Sequence, residues 1–172
     1  MNWEYKHLIP EELSPSSRVW IYQSSRLFAL SEALEIEEAL DQFLASWNAH
    51  GDAVKGFATL FFGQFVVLIA DETEVQVSGC STDSSVRVIR ELEQRFQVRL
   101  FDRTTLAFAR EGKVDLLPMA QLGYALQHGF VTPETLYFNN TVLTKKDLQE
   151  KWIIPVKDSW LAPRLKSVVS SS

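Results

Sequence analysis

The chain has 172 residues, of which 46% are hydrophobic and 23% are charged, and its formal net charge is −5 at neutral pH. This composition is typical of a folded protein of about one domain with short tails. The single cysteine, Cys80, excludes an intramolecular disulfide, a cysteine-based zinc cluster and an iron–sulfur site. The negative net charge argues against nucleic-acid binding, which requires a basic surface.

The N-terminal segment and the most apolar stretch of the chain predict where the protein is found. Residues 1–17 contain Glu4, Glu11 and Glu12 and lack the apolar core of a secretory signal. Residues 56–70 form the most apolar stretch, which is shorter than the ~20 residues that a membrane helix needs. We therefore expect a cytoplasmic protein with no membrane span, no metal and no cofactor.

The first two predicted elements are a strand and a helix. Residues 18–23 alternate β-branched and aromatic side chains, which predicts a central strand. After Ser31 as the N-cap, apolar residues recur at helical spacing as far as Trp47. This spacing predicts an amphipathic helix that ends at residues 48–52.

A hairpin is predicted next. Residues 55–62 and 65–71 are almost entirely apolar and are separated by Gly63 and Gln64. A continuous helix is the alternative, and the glycine and β-branched residues count against it. Residues 74–77 alternate in polarity and predict an extension of the sheet.

A polar turn then leads into the second predicted helix. Residues 78–85 are small and polar, and residues 86–96 carry apolar side chains at helical spacing. The pattern predicts a helix over residues 86–96 with Thr82 or Asp83 as its N-cap.

The last third of the chain is predicted to hold a second hairpin and short helices. Residues 105–109 and 113–117 predict the hairpin, and residues 119–128 predict a helix before a glycine C-cap. A capping-box-like start predicts another short helix over residues 144–152. A frayed tail is predicted over residues 166–172.

The order of elements predicts an α+β fold. A ferredoxin-like βαββαβ antiparallel sheet with both helices on one face fits this order. We expect an irregular arm over residues 1–17 and a single domain over residues 18–165. Within that domain, residues 18–117 form the core and residues 118–165 form a C-terminal addition of short elements.

Three segments of the chain also suggest a family. Residues 18–23, 78–85 and 135–141, together with Trp152 and Trp160, resemble a small bacterial family whose members are sometimes labelled ABC-type transporter ATPases. The resemblance covers most of the chain. It implies no particular activity, substrate or site.

The residues do not support the ATPase label. A phosphate-binding Walker A loop needs a second glycine upstream of Gly-Lys and a Ser or Thr after it. The only Gly-Lys pair is Gly112-Lys113, which precedes Val114 and lies in a predicted hairpin turn. Residues 77–81 bear only a faint likeness to the ABC signature segment.

The polar turn before the second predicted helix is the sharpest candidate site. Backbone N–H groups and the helix dipole at such a position favour an anion. A tight turn that merely caps the helix is the simpler alternative. The residues predicted to bind the ligand are Gly79, Ser81, Thr82, Ser84, Ser85 and Arg87.

Catalysis at the same turn is a second hypothesis. A cysteine at a helix N-terminus can have a lowered pKa, and Cys80 would then be the nucleophile. His50 would act as the base, and Asp83 would orient the reacting groups. A simple helix-capping role is the alternative for His50.

We therefore expect a non-catalytic domain that binds a small anionic ligand or a protein partner. The alternatives are a thiol-dependent enzyme and a structural or assembly subunit. An assembly subunit would use an exposed sheet edge or the region around Trp160. The Asn139-Asn140 pair is consistent with either a ligand contact or a β-turn.

Overall fold

The computed structural model describes residues 2–170, except for the side chains of Cys80 and of residues 167–170. The strands in this part of the chain are β1 (Arg18–Gln23), β2 (Asn48–Ala49), β3 (Asp52–Ala53), β4 (Lys55–Phe61), β5 (Phe65–Asp71), β6 (Thr105–Arg110), β7 (Lys113–Pro118), β8 (Leu136–Phe138) and β9 (Ile153–Pro155). The α-helices are α1 (Leu30–Ser46), α2 (Gly79–Phe96), α3 (Leu122–Gln127), α4 (Lys145–Lys151) and α5 (Ala162–Ser170). The protein is therefore of the α+β class, with three small antiparallel sheets among the described residues.

One compact unit, called the N-terminal unit below, consists of Trp3–Asp102 and Leu143–Gln149. Its main sheet has the antiparallel order β1-β5-β4, and every residue of the central strand β5 is buried. Helices α1 and α2 pack together on one face of this sheet. Their shared core is built from large apolar side chains, among them Ile36, Leu40, Leu68, Ile89 and Leu92. Burial of these side chains is the main force that stabilises the unit.

The N-terminal arm belongs to the same unit and is anchored by buried groups. The ring of Tyr5 packs edge-on against Phe61 of β4, with 5.9 Å between the ring centroids. The Tyr5 hydroxyl donates a 2.5 Å hydrogen bond to the carbonyl of Leu148 in α4. Burial raises the pKa of the Tyr5 phenol well above its ordinary value. The arm is thus fixed to the unit by specific contacts.

The remaining described residues, Arg103–Val142 and those from Glu150 onward, form the C-terminal unit together with Asn2. Its sheet has the antiparallel order β7-β6-β8-β9. The core of the unit contains strand residues such as Phe108 and Tyr137, and Leu122 and Ala125 of α3. The single domain predicted over residues 18–165 stays a prediction.

A complete ferredoxin-like sheet is not evident in the structure. The predicted fourth strand, β6, pairs with β7 and β8 in the C-terminal unit and not with β1. Residues 143–145 occupy the outer side of β1 instead: the Val19 N–H donates to the Leu143 carbonyl at 3.0 Å. As a result β1 is not the central strand that its sequence predicts, because β5 is more apolar and pairs on both sides.

Three local predictions differ from the structure in identifiable ways. Residues 74–77 are not a strand, because the Asp71 carboxylate accepts hydrogen bonds from Thr73 and turns the chain. The predicted end of the first helix before residues 48–52 is confirmed, since α1 ends at Ser46, but residues 48–53 also form the short hairpin β2–β3. Part of the predicted frayed tail lies in α5, whose first turn accommodates Pro163 without loss of a hydrogen bond.

Candidate functional site

The predicted anion site lies at the start of α2, but the helix begins earlier than its sequence predicts. Ser78 is the N-cap, and its hydroxyl accepts a hydrogen bond from the Ser81 N–H at 3.3 Å. In return, the Ser81 hydroxyl accepts a 2.8 Å hydrogen bond from the Ser78 N–H. This reciprocal pair is a capping box in which serine replaces the usual glutamate. Thr82 and Asp83, the predicted N-caps, therefore lie inside the helix.

The hydroxyl groups of this segment bind its own backbone. The Thr82 hydroxyl donates to the Ser78 carbonyl at 3.0 Å, and the Ser85 hydroxyl donates to the Thr82 carbonyl at 2.6 Å. Ser81 and Ser85 are both buried. Ser81 is held further by the indole of Trp47, which donates to its carbonyl at 2.9 Å. These contacts are those expected if the turn only caps the helix, which is the simpler alternative to an anion site.

The other members of the predicted site are spread along two elements. Gly79 is the first residue of α2, whereas Asp83 is exposed on its second turn. His50 is exposed at a left-handed position, with a φ of 54°, in the turn of the β2–β3 hairpin. It is therefore not a helix cap. The Cys80 side chain lies outside the described residues, so its role as a nucleophile with His50 stays a prediction.

The capping role of Ser78 gives a direct prediction. Replacing Ser78 with alanine should lower the free energy of unfolding by about 1 kcal/mol, because a helix N–H loses its side-chain acceptor. Ser31 is the matched control, since it was predicted as a cap but lies exposed in the first turn of α1. Ser31→Ala should change the free energy by less than about 0.5 kcal/mol. Equal effects in urea denaturation would contradict the assignment of Ser78 as the N-cap.

Ser84 and Arg87 face a groove between α1 and α2. The groove has a volume of about 440 Å³ and is lined mainly by polar groups, including Glu91 and Arg95. Arg95 forms a 2.8 Å ion pair with Glu35. Opposite charges thus alternate along this surface, so it offers no concentrated positive potential to an anion.

A more enclosed cavity lies in the C-terminal unit, between the β6–β7 hairpin and α3. It has a volume of about 320 Å³, which is at the lower limit for small-molecule sites. Phe108, Leu117, Ala125 and Val131 provide apolar walls. The same cavity is also lined by Arg110, Asp115, Leu116, Gln121, Tyr124 and Phe130.

Two exposed aromatic side chains line this cavity. Tyr124 is 62% exposed and Phe130 is 52% exposed. The Tyr124 ring packs against the His128 ring, with 4.1 Å between the centroids. Exposed aromatic groups that adjoin a cavity mark it as a candidate ligand site.

The charged side chains at the cavity are an ion pair. The Arg110 guanidinium lies 3.6 Å from the Asp115 carboxylate and 6.0 Å from the centre of the Phe130 ring. Both side chains of the pair are partly exposed, so the pair contributes little to stability and can be rearranged by a ligand. Arg110 can therefore turn its fork of donors toward an anionic group.

The sequence patterns predict no site at the residues of this cavity. One signal was present: Leu122, Ala125 and Leu126 form the apolar stripe of α3, and Tyr124 falls outside that stripe. The Asn139-Asn140 pair, which is not part of the cavity lining, makes contacts within the fold. The Asn140 side-chain oxygen accepts a 2.9 Å hydrogen bond from the indole of buried Trp152.

The fold and the cavity together define an α+β protein with a small, mainly apolar ligand-sized site. Comparisons with protein-family models, with curated proteins and with solved structures found no match. Among the described residues, no helix is both long enough and apolar enough to span a bilayer. The cytoplasmic location stays a prediction.

Proposed function

We propose that the chain is a non-catalytic binding domain, and that the cavity of the C-terminal unit holds a small ligand with an apolar body and an anionic group. The observation that carries this proposal is the pair of exposed aromatic rings, Tyr124 and Phe130, on an otherwise apolar cavity. Neither ring is needed to fill the core of the unit. Both are placed to cover a bound molecule.

The chemistry of the cavity defines the ligand class. The walls formed by Phe108, Leu117 and Val131 favour an aliphatic or aromatic body, because its burial removes apolar surface from water. Arg110 supplies a cation at the rim of the cavity. An organic anion satisfies both requirements, whereas a free phosphate satisfies only the second.

A fluorescent organic anion, anilinonaphthalene sulfonate, tests this proposal. We expect its fluorescence to increase on binding to the folded protein, and the protein to gain about 1.4 kcal/mol of stability at a dye concentration ten times Kd. Phe130→Ala should weaken binding about tenfold, because one ring that covers the dye is lost.

Leu34→Ala is the matched control, since it also removes an exposed apolar side chain but lies in α1 of the N-terminal unit. It should leave dye binding unchanged. If both variants bind the dye as the wild type does, or if the dye binds only at temperatures where the protein unfolds, the cavity is not the site.

We also infer that the N-terminal unit is an incomplete ferredoxin-like arrangement. The support is the strand order β1-β5-β4 with two helices on one face, which matches three of the four strands of that fold. Thr144 bridges to Arg18 in antiparallel fashion, on the side of β1 where the fourth strand would lie.

A further inference from the structure

The outer edge of β7 carries backbone groups that no described strand pairs with. β7 is the first strand in the order β7-β6-β8-β9, and it pairs only with β6. Its residues are half-buried or exposed along the whole strand. A strand edge that lacks a strand partner can pair with another strand.

The hairpin geometry shows which groups face outward. Glu111 and Gly112 both have positive φ values, 50° and 74°, so they form a two-residue turn closed by Arg110 and Lys113. The closing pair exchanges both of its hydrogen bonds across the hairpin, and every second pair along the ladder does the same. The backbone groups of the alternate residues, Val114, Leu116 and Pro118, therefore point away from β6.

Pro118 restricts the part of the β7 edge that can pair with another strand to the residues before it. Proline has no N–H, so it cannot donate to an added strand. Val114 and Leu116 each offer one donor and one acceptor. The side chains of Lys113 and Asp115 lie on the other face of the sheet from those of Val114 and Leu116. Both are exposed, and they carry opposite charges two residues apart.

We propose that the occupant of this edge is β7 of a second copy of the chain, paired antiparallel about Val114. Val114 then lies opposite Val114 of the second copy, and each Lys113 lies opposite Asp115 of the second copy. The edge is thus self-complementary in charge, as a two-fold symmetric interface requires. Asp115 and Leu116 also line the ligand cavity, but this inference concerns the outer backbone edge of β7 and goes beyond the proposed function.

The neighbouring registers are disfavoured. Centring the pair on Asp115 places two carboxylates opposite each other, which is destabilising. Centring it on Leu116 places Val114 opposite Pro118, which lacks the required donor. Of these three registers, only the one centred on Val114 places opposite charges across from each other and gives every facing pair its N–H donors.

The same register extends an apolar row. Val114 pairs with Ala109, which pairs with Leu136, which pairs with Pro155, and all four are half-buried on one face of the sheet. Contact between the two Val114 side chains joins this row to its symmetry mate. Cross-strand contacts of this kind stabilise antiparallel pairs.

Charge reversal in the full chain tests the dimer and its register. We expect the average molecular mass of the wild-type protein, measured by sedimentation equilibrium, to rise toward that of a dimer as the protein concentration increases. Lys113→Glu or Asp115→Lys alone should raise the dissociation constant about tenfold or more, because two attractive pairs become repulsive. The double variant K113E/D115K restores opposite charges and should return the constant to within about threefold of the wild-type value.

Lys146→Glu is the control, because it changes the net charge by the same amount as Lys113→Glu but at an exposed lysine of α4 in the N-terminal unit. It should leave the average molecular mass in solution equal to that of the wild type. The thermal midpoint of each variant shows that a loss of dimer is not a loss of folding. A wild-type chain that stays monomeric up to millimolar concentration overturns the proposal. A dimer that Lys113→Glu does not weaken, or that the double variant does not restore, overturns it as well.

Discussion

Replacing Lys145 with methionine should lower the free energy of unfolding by about 3 kcal/mol. The Lys145 ammonium is buried and donates to the carbonyls of Pro10 and Leu13 at 2.8 and 2.7 Å, with a longer contact of 3.4 Å to Glu11. Among the described residues no carboxylate lies within ion-pair distance of it. Methionine keeps the length of the side chain but leaves these carbonyls without their donor.

The adjacent Lys146 is exposed and serves as the matched control. Lys146→Met should change the free energy by less than about 0.5 kcal/mol. Urea denaturation measures both values. Amide hydrogen exchange gives a second test, because Lys145→Met should increase exchange at the Ser17 and Tyr5 amides before it does so in β5. An effect of Lys145→Met no larger than that of Lys146→Met would contradict the anchoring role.

Acidification should remove about 2 kcal/mol of stability through Asp71 alone. The side chain of Asp71 is only 2% exposed and accepts hydrogen bonds from the Ser14 N–H and from the N–H and hydroxyl of Thr73. These bonds, first of all the one from the Thr73 hydroxyl, lower its pKa to about 2. Since the folded-state pKa is below the unfolded one, the stabilisation is present above about pH 4. It is lost as the pH falls from about 4 to about 2.

Asp71→Asn removes this contribution. In asparagine an NH2 group replaces one of the two carboxylate oxygens, and it cannot accept a hydrogen bond from the donors of Ser14 or Thr73 that bind that oxygen. Glu32 also titrates in this pH range, since its hydrogen bonds with Arg26 lower its pKa to about 2. The quantity to measure is therefore the difference in unfolding free energy between wild type and Asp71→Asn, at pH 6 and at pH 2. That difference should shrink by about 2 kcal/mol on acidification. The exposed Asp41→Asn serves as control, and an unchanged difference for Asp71→Asn would contradict the assignment.

The sequence predicted those elements whose side-chain pattern is decided locally. Residues 18–23 alternate, residues 55–62 and 65–71 are almost entirely apolar, and the structure confirms a strand in each of the three segments. The hairpin at Glu111-Gly112 was predictable for the same reason, because few residues other than glycine adopt positive φ in such a turn.

What could not be predicted depends on contacts between distant residues. The burial of Asp71 was not predictable, because nothing near it in sequence shows that Ser14 binds its carboxylate. The burial of Lys145 was not predictable either, because its three acceptors lie more than 130 positions away. The pairing of β6 with β8 was also unpredictable, since strand pairing over long loops leaves no local signal.

The early start of α2 has a different cause. Gly79, Ser81 and Thr82 have weak helix propensity, so the pattern favoured a loop. The capping box of Ser78 and Ser81 and the hydrogen bond from the Trp47 indole compensate for that weakness. The cavity was missed because its rings lie on the polar side of a short helix and in the loop after it.

The hydrogen bond between Tyr5 and Leu148 joins residues 143 positions apart, and this has a consequence for synthesis of the chain. The N-terminal unit begins to emerge from the ribosome first, yet its last segment, Leu143–Gln149, emerges after most of the other unit. Until then, the outer edge of β1 and the carbonyls of Pro10 and Leu13 lack their partners. The nascent chain must therefore carry an unfinished sheet through most of translation, and a truncated chain that stops at residue 142 keeps that sheet unfinished.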